Sequence, residues 1–218
     1  MPSTYFQSDI AALYNDDCLT LLDHLPAADL YLLDLPYGIA LDSHGHGRQD
    51  RVYSIANDAN GEFGEAVLDA IKGPTIAFAS PKKPWSGEWR QHLVWDKGPA
   101  VGGGGDPSTC WKQTWELIQV RGTPSLNGFR DEAVLRYHVT PTDFSFHQCQ
   151  KPIALLSYLI AKTTKPGGLV IDLTCGSGST LVAAARTGRK AIGVEVDEKF
   201  CRIAKSRLMQ KNFAFAHD

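Results

Sequence analysis

"GLVIDLTCGSGST", residues 168–180, is the stretch on which the fold turns. Leu169, Val170 and Ile171 read as a buried strand that stops on a carboxylate, Asp172. A glycine turn, Gly176-Ser177-Gly178, then leads into a helical pattern that starts at Ser179. Gly176 and Gly178 let the backbone come close to a ligand and take angles barred to other residues. The following strand, KAIGVEV (190–196), carries Glu195 near its end. An acid in that place can accept hydrogen bonds from both hydroxyls of a ribose, and Asp172 can hold the cationic end of a small ligand. Together these residues outline a nucleoside-binding crevice at the carboxyl ends of adjacent parallel strands. A dinucleotide fingerprint would need a third glycine where Leu181 stands, which weakens a pyrophosphate ligand.

The rest of the chain continues the alternation. Strand-like apolar runs occur at 10–14, 29–33, 75–79, 92–96, 115–120, 168–172 and 190–196, and helical periodicity at 17–24, 64–72, 152–163, 179–187 and 198–211. Asp197 is placed to cap the last helix, Pro152 suits a first turn, and Lys165-Pro166-Gly167-Gly168 closes that helix. This order predicts an α/β fold, a mostly parallel sheet covered on both faces. The runs at 92–96 and 115–120 have no helix between them and predict an antiparallel pair at one edge. Residues 41–52 and the glycine run 102–105 read as loops. With 218 residues the chain is long enough for one domain with a substantial core. A formal charge of −2 excludes an overall basic field, so contact with polyanions must come from local patches. No apolar stretch reaches the roughly 18–20 residues of a membrane span, and MPSTYFQSD lacks a secretory pattern. Five scattered cysteines without a CxxC fit reduced thiols better than disulfides or a zinc site. The expectation is a soluble cytoplasmic protein, without a metal and with no membrane contact.

A second segment raises its own question. "YLLDLPYGIA" (31–40) ends a buried run on Asp34-Leu35-Pro36-Tyr37, held in a proline-glycine turn. Pro36 fixes its own φ and pushes Leu35 toward extended geometry, which aims the Leu35 carbonyl. Taken alone, Asp34 would be a turn cap and Tyr37 ordinary core.

Beside the glycine crevice the segment acquires a different meaning. HQCQKP (147–152), DLTCGSGST (172–180) and GVEVDEKFCRIAKSRL (193–208) closely resemble the C-terminal half of the amino-group DNA methyltransferases, N6-adenine and N4-cytosine. Asp34-Leu35-Pro36-Tyr37 resembles that family's catalytic D-P-P-Y, and NDDCLTLLDHL before it is similar to the family's G-D-C-x-x-x-L. The catalytic motif precedes the cofactor motifs, the permuted order called beta. The resemblance implies a doubly wound, seven-stranded mixed sheet of the Rossmann-like type that uses S-adenosylmethionine. Carried over residue by residue, Asp172, Gly176, Gly178 and Thr180 flank the methionine part of the cofactor. Glu195 holds its ribose, and Asp17 lies near the adenine. Gln150 and Lys151 close over the methionine end. One catalytic domain over 1–218 is implied, with a much-reduced target-recognition region at 121–146, hence short or relaxed sequence specificity. Monomer and homodimer both stay open.

An exocyclic amine is a poor nucleophile because its lone pair is delocalised into the ring. Acceptors on its N–H groups, from the Asp34 carboxylate and the Leu35 carbonyl, favour a pyramidal nitrogen. Tyr37 offers a stacking face worth about 1–3 kcal/mol to an extruded base. Serine is more usual in place of Asp34 in cytosine enzymes, so aspartate points to N6 of adenine; N4 of cytosine, RNA as the polymer, and an inactive nucleic-acid-binding protein on the same fold are the alternatives. Candidate phosphate and base contacts are His44, His46, Arg48 and Arg51, then Lys82 and Lys83 with Trp85, Trp89 and Arg90, and Lys97.

Overall fold

Leu30, Tyr31, Leu32 and Leu33 form a strand with every residue buried, a pattern that requires helices on both faces of the sheet. The computed structural model, which describes residues 3–38, 61–99, 110–139 and 150–210, supplies them. In chain order the elements are β1 (Phe6–Gln7), β2 (Ala11–Asn15), α1 (Cys18–Leu21) with a 3-10 turn after it, and β3 (Leu30–Leu33). Then come α2 (Glu62–Ala70), β4 (Thr75–Ala79), β5 (Gln91–Asp96), β6 (Trp115–Arg121) and β7 (Val134–Arg136). The last are α3 (Ile153–Thr163), β8 (Leu169–Asp172), α4 (Ser179–Arg186), β9 (Lys190–Glu195) and α5 (Glu198–Met209). The loops expected at 41–52 and 102–105 lie outside the described residues.

The strands form one sheet in the order β1-β2-β9-β8-β3-β4-β6-β5-β7. From β2 to β4 neighbours are parallel, and β6 runs antiparallel to both β4 and β5. This is the expected doubly wound, mixed α/β sheet, with the strand number corrected from seven to nine among the described residues. The two additions, β1 and β7, are two and three residues long with at most one buried side chain each, so neither leaves an apolar run to read. β7 takes the sheet edge that the β5–β6 pair was expected to form. Pro152 stands one place before α3, as its capping residue.

Side chains alternate across the sheet as the strand period demands. Leu30, Leu32, Ile76, Phe78 and Val170 face α3, α4 and α5. Tyr31, Leu33, Ala77, Ala79, Ile171 and Val194 face α1, α2 and Trp85. Trp85 is locked there: its indole N–H donates to the Phe78 carbonyl at 2.7 Å, and its backbone N–H to Gln119 Oε1 at 2.8 Å. Helix α2 passes so close to this ring that a Cβ on Gly64 would lie 2.4 Å from Trp85 Cη2. In Gly64→Ala, the gain in helix propensity is at most about 1 kcal/mol. Overpacking against a ring held by two hydrogen bonds costs about 1–3 kcal/mol. The variant is expected to be the less stable protein in urea titration, with altered tryptophan fluorescence.

Candidate active site

The site grows out of the carboxyl ends of three neighbouring parallel strands. β9 ends on Glu195, β8 on Asp172, and β3 runs straight into Asp34. Leu30 pairs with Val170 and Tyr31 with Ile171, so the aspartate corner and the glycine turn leave the sheet side by side. Thr174 Oγ1 donates to the Asp34 carbonyl at 3.4 Å, linking the two directly.

Around the glycine turn, carboxylates organise the backbone. Glu195 accepts the Gly176 N–H at 2.8 Å on one oxygen and the Asp197 N–H at 2.9 Å on the other. Asp172 is buried and accepts the Thr174 N–H at 3.1 Å. Burial pushes the Asp172 carboxyl up to about 7, more than its hydrogen bonds from Thr180 and Thr174 pull it down, and the charges of Asp34 and Glu195 push it the same way. Burial also raises Glu195. The two glycines divide the work. Gly176 (φ +50°) fronts open space, where an added Cβ would meet nothing within 4 Å. At Gly178 (φ +81°) a Cβ would lie 2.8 Å from Ala204 Cβ, so this glycine serves close packing of the turn on α5 as well as the left-handed backbone.

One clamp on this turn corrects the sequence reading of the final helix's basic residues as a solvated face. Arg207, on α5 and buried, donates from Nη1 to the Ser177 carbonyl (2.7 Å), Ser177 Oγ (3.1 Å) and Ser179 Oγ (3.2 Å). Burial lowers its guanidinium to about 10, which still leaves it charged near neutrality. The signal was available, because Arg207 is the final arginine of the segment 193–208 quoted above.

At the other corner Leu35 is buried in the core, so its side chain anchors the turn. Tyr37 donates its hydroxyl to Asp34 Oδ1 at 2.8 Å and meets Trp85 edge-on, with ring centroids 6.2 Å apart. Lys151 Nζ lies 2.7 and 2.8 Å from the two Asp34 oxygens. It therefore sits in the aspartate corner. Its neighbour Gln150, also buried, reaches Ser177 Oγ at 3.5 Å. Glu116, on β6, joins the corner through Lys151 and Lys97, and no sequence pattern singled it out.

The remaining candidates divide. Asp17 follows β2 next to the end of β9 and caps α1, accepting the Leu19 N–H at 2.8 Å. Lys82 and Lys83 stand in the turn after β4, and Lys83 Nζ reaches the Gly38 carbonyl at 3.4 Å, so Lys83 borders the aspartate corner. Trp85 is core, and Trp89 donates its indole N–H to the Ser86 carbonyl at 2.9 Å. Arg90 sits just before β5, at the opposite end of the sheet from the carboxylates. Lys97 is engaged by Glu116. His44, His46, Arg48 and Arg51 lie outside the described residues. The described cysteines, Cys18, Cys110, Cys175 and Cys201, are free thiols, and burial raises Cys175 well above its ordinary value. Among the described residues no helix is long and apolar enough to cross a membrane.

The raised Asp172 has a consequence for stability. With a folded value of about 7 against 3.8 for the free side chain, its contribution is fully present below about pH 4 and is lost as pH rises through 7. Asp172→Asn cannot ionise. Its melting temperature relative to the parent should therefore climb between about pH 5 and about pH 8. Scanning calorimetry across that range checks the sign; a constant difference would contradict it.

Known proteins place this architecture. The model of the N6/N4-type DNA methylase family matches residues 74–206, more than half of the chain. The chain is similar to the DNA adenine methyltransferase YhdJ of Escherichia coli K12, 36% identical over 66 residues, which is 30% of this chain and 22% of that protein. Matches to the first curated relatives span 25% to 27% of their lengths. Among solved structures, the PvuII cytosine-N4-specific DNA methyltransferase shares the fold at TM-score 0.70 with 15% identity, covering 97% of this chain and 90% of that one. The M1.HpyAVI–SAM complex does so at TM-score 0.64 with 18% identity, covering 92% of this chain and 100% of that one. With the aspartate corner ahead of the glycine turn, in the beta order, the chain belongs to the N6/N4 amino-group DNA methylase family.

Proposed function

We propose that the chain transfers a methyl group from S-adenosylmethionine to the N6 amine of adenine in DNA. The observation that carries this is the adjacency of two unlike sites on one rim. One is a crevice of buried carboxylates, and the other an aspartate–tyrosine corner beside it, joined through β3 and β8. Asp172 and Glu195, both raised by burial, favour a ligand that brings positive charge. The open space at Gly176 leaves the backbone approachable. S-adenosylmethionine fits both features, since it carries a sulfonium and an amino group and offers a methyl that an amine lone pair can displace. On this reading Asp172 and Glu195 hold the cationic and ribose portions, with Gly176, Gly178 and Thr180 around the methionine part, Gln150 against the turn, and Asp17 toward the adenine.

In the corner, Asp34 and the Leu35 carbonyl accept the N–H groups of the target amine and expose its lone pair. Tyr37, pinned by its hydroxyl and by Trp85, gives a stacking base a fixed plane. Extruding the base costs on the order of a few kcal/mol, and holding both reactants in one crevice lowers the barrier by orientation. Aspartate at position 34, where serine is more usual for cytosine, supports adenine over cytosine. Lys83, at the corner, and its neighbour Lys82 suit phosphate contact.

The proposal extends to a single catalytic domain with little dedicated target recognition. Of residues 121–146, the described part carries β7 and docks on α3 at two points, where Asn127 donates to the Ala161 carbonyl at 2.7 Å and Asp131 pairs with Lys162 at 2.6 Å. A region this short presents few side chains to base edges, each good bidentate contact being worth about 1–3 kcal/mol of discrimination. The sites methylated should be short or loosely defined.

Labelled S-adenosylmethionine incubated with DNA, followed by nucleoside analysis, should yield N6-methyladenine. Asp34→Ala should lower the yield by at least about 100-fold. N4-methylcytosine as the product would replace adenine by cytosine, label only in a parallel RNA arm would replace the polymer, and no product at all would overturn the activity. Because a bound cation favours ionised Asp172, affinity for S-adenosylmethionine should rise with pH through about 7, and Asp172→Asn should flatten that rise.

A further inference from the structure

We infer that Glu116, backed by Lys97, is a positioning residue that holds Lys151 across the Asp34 carboxylate and so leaves one acceptor direction, on Oδ2, for the incoming amine. The inference rests on the methyl-transfer reading above and names a residue that the reading did not contain.

The geometry begins with a carboxylate that is nearly saturated. An ionised carboxylate offers about four acceptor directions. At Asp34, Oδ1 takes the Tyr37 hydroxyl at 2.8 Å and Lys151 Nζ at 2.7 Å. Oδ2 takes Lys151 Nζ at 2.8 Å. Among the described residues this leaves one direction, and it lies on Oδ2.

A lysine ammonium is a point charge on a flexible stem and does not by itself fix the plane of a carboxylate. Here Lys151 is confined. Its side chain is 7% exposed and Nζ lies 5.1 Å from the Phe78 ring centroid, 5.6 Å from that of Tyr37 and 6.0 Å from that of Trp95. On its other flank stands Glu116 Oε2 at 3.4 Å, which is also 3.3 Å from the Tyr37 hydroxyl. Glu116 thus touches both groups that saturate Asp34, without touching Asp34. Lys97 pairs with the second Glu116 oxygen.

Strand register delivers this arrangement. Glu116 is opposite Trp95 on β5, one residue before Leu117, which is opposite Ala79 at the carboxyl end of β4. An acid at this end of β6 therefore projects at the rim. Burial alone would raise Glu116, yet Lys151 and Lys97 together hold it below its usual range, so it stays an anion. Two acids and two lysines balance, and removing one member leaves a poorly solvated charge without its partner.

Glu116→Gln keeps the shape and removes the charge. With the full chain, DNA and S-adenosylmethionine, kcat should fall about 10–100-fold, as expected when a reacting group is slightly misplaced. The KM for DNA and the dissociation constant for S-adenosylmethionine should stay close to the parent's, while the melting temperature falls because Lys97 and Lys151 lose a shared partner. Adding Lys97→Met restores the charge balance and should recover part of the lost kcat. A kcat within about twofold of the parent would overturn the inference while leaving the methyl-transfer function standing. So would a loss matched by weaker cofactor binding, or a double variant no better than the single one. Should Glu116→Gln fail to fold, Lys97→Met alone must lower kcat with cofactor affinity kept, and unchanged turnover would overturn the inference. If the parent chain methylates neither DNA nor RNA, the function falls and this inference with it.

Discussion

Two parallel register pairs, Leu30 with Val170 and Tyr31 with Ile171, carry the site. They bring together segments from opposite halves of the chain, and everything reactive lies just beyond them. The pairing is specified by burial on both faces: Leu30, Leu32 and Val170 on one, Tyr31, Leu33 and Ile171 on the other. Each of those side chains contributes on the order of 1.5–3 kcal/mol by leaving water. A slip of one residue would send every one of them to the wrong face. Asp34 and Asp172 therefore stand beside each other because the core beneath them admits no other alignment.

The dipeptide Gln150-Lys151 couples the two corners a second time. Gln150 contacts the serine of the glycine turn, and Lys151 lies across Asp34. Consecutive residues thus report to different sites. Arg207 fixes the turn from the opposite side, through Ser177 and Ser179. A shift of α5 would be felt at the glycine turn through Arg207, and a shift of the segment leading into α3 at both corners, through Gln150 and Lys151.

Most of this fold could be read from the sequence, because five central strands are short, continuous apolar runs closed by turns. β1 and β7 could not, since a two- or three-residue edge strand has no pattern of its own. Asp172 and Glu195 were legible because strand, glycine turn and second acid recur at fixed spacing. Glu116 was not: one acid in WELIQV looks like a solvent-facing strand residue until β5 and Lys151 surround it. The same limit applied to Lys97 and Trp85. Basic and aromatic residues close in sequence suggested phosphate and base contact, whereas folding engages Lys97 with Glu116 and seals the Trp85 indole against Phe78. Spacing along a chain identifies local chemistry; which charges cancel is decided by strands that meet only in space.

That cancellation separates the two sites chemically. At the aspartate corner two lysines balance two acids, and the balance suits a neutral amine, which asks only for an aimed acceptor. In the crevice, Asp172 and Glu195 have backbone and hydroxyl donors as their partners, and burial drives both carboxyls up. On the methyl-transfer proposal such a site is completed by a cation, and a sulfonium seated there would face the corner assigned to the amine. Reversing the arrangement would fail on both counts. A cation at the balanced corner would meet Lys151, and a neutral amine in the acidic crevice would leave buried carboxylates uncompensated. The donor and acceptor are thus sorted by charge before either is recognised by shape.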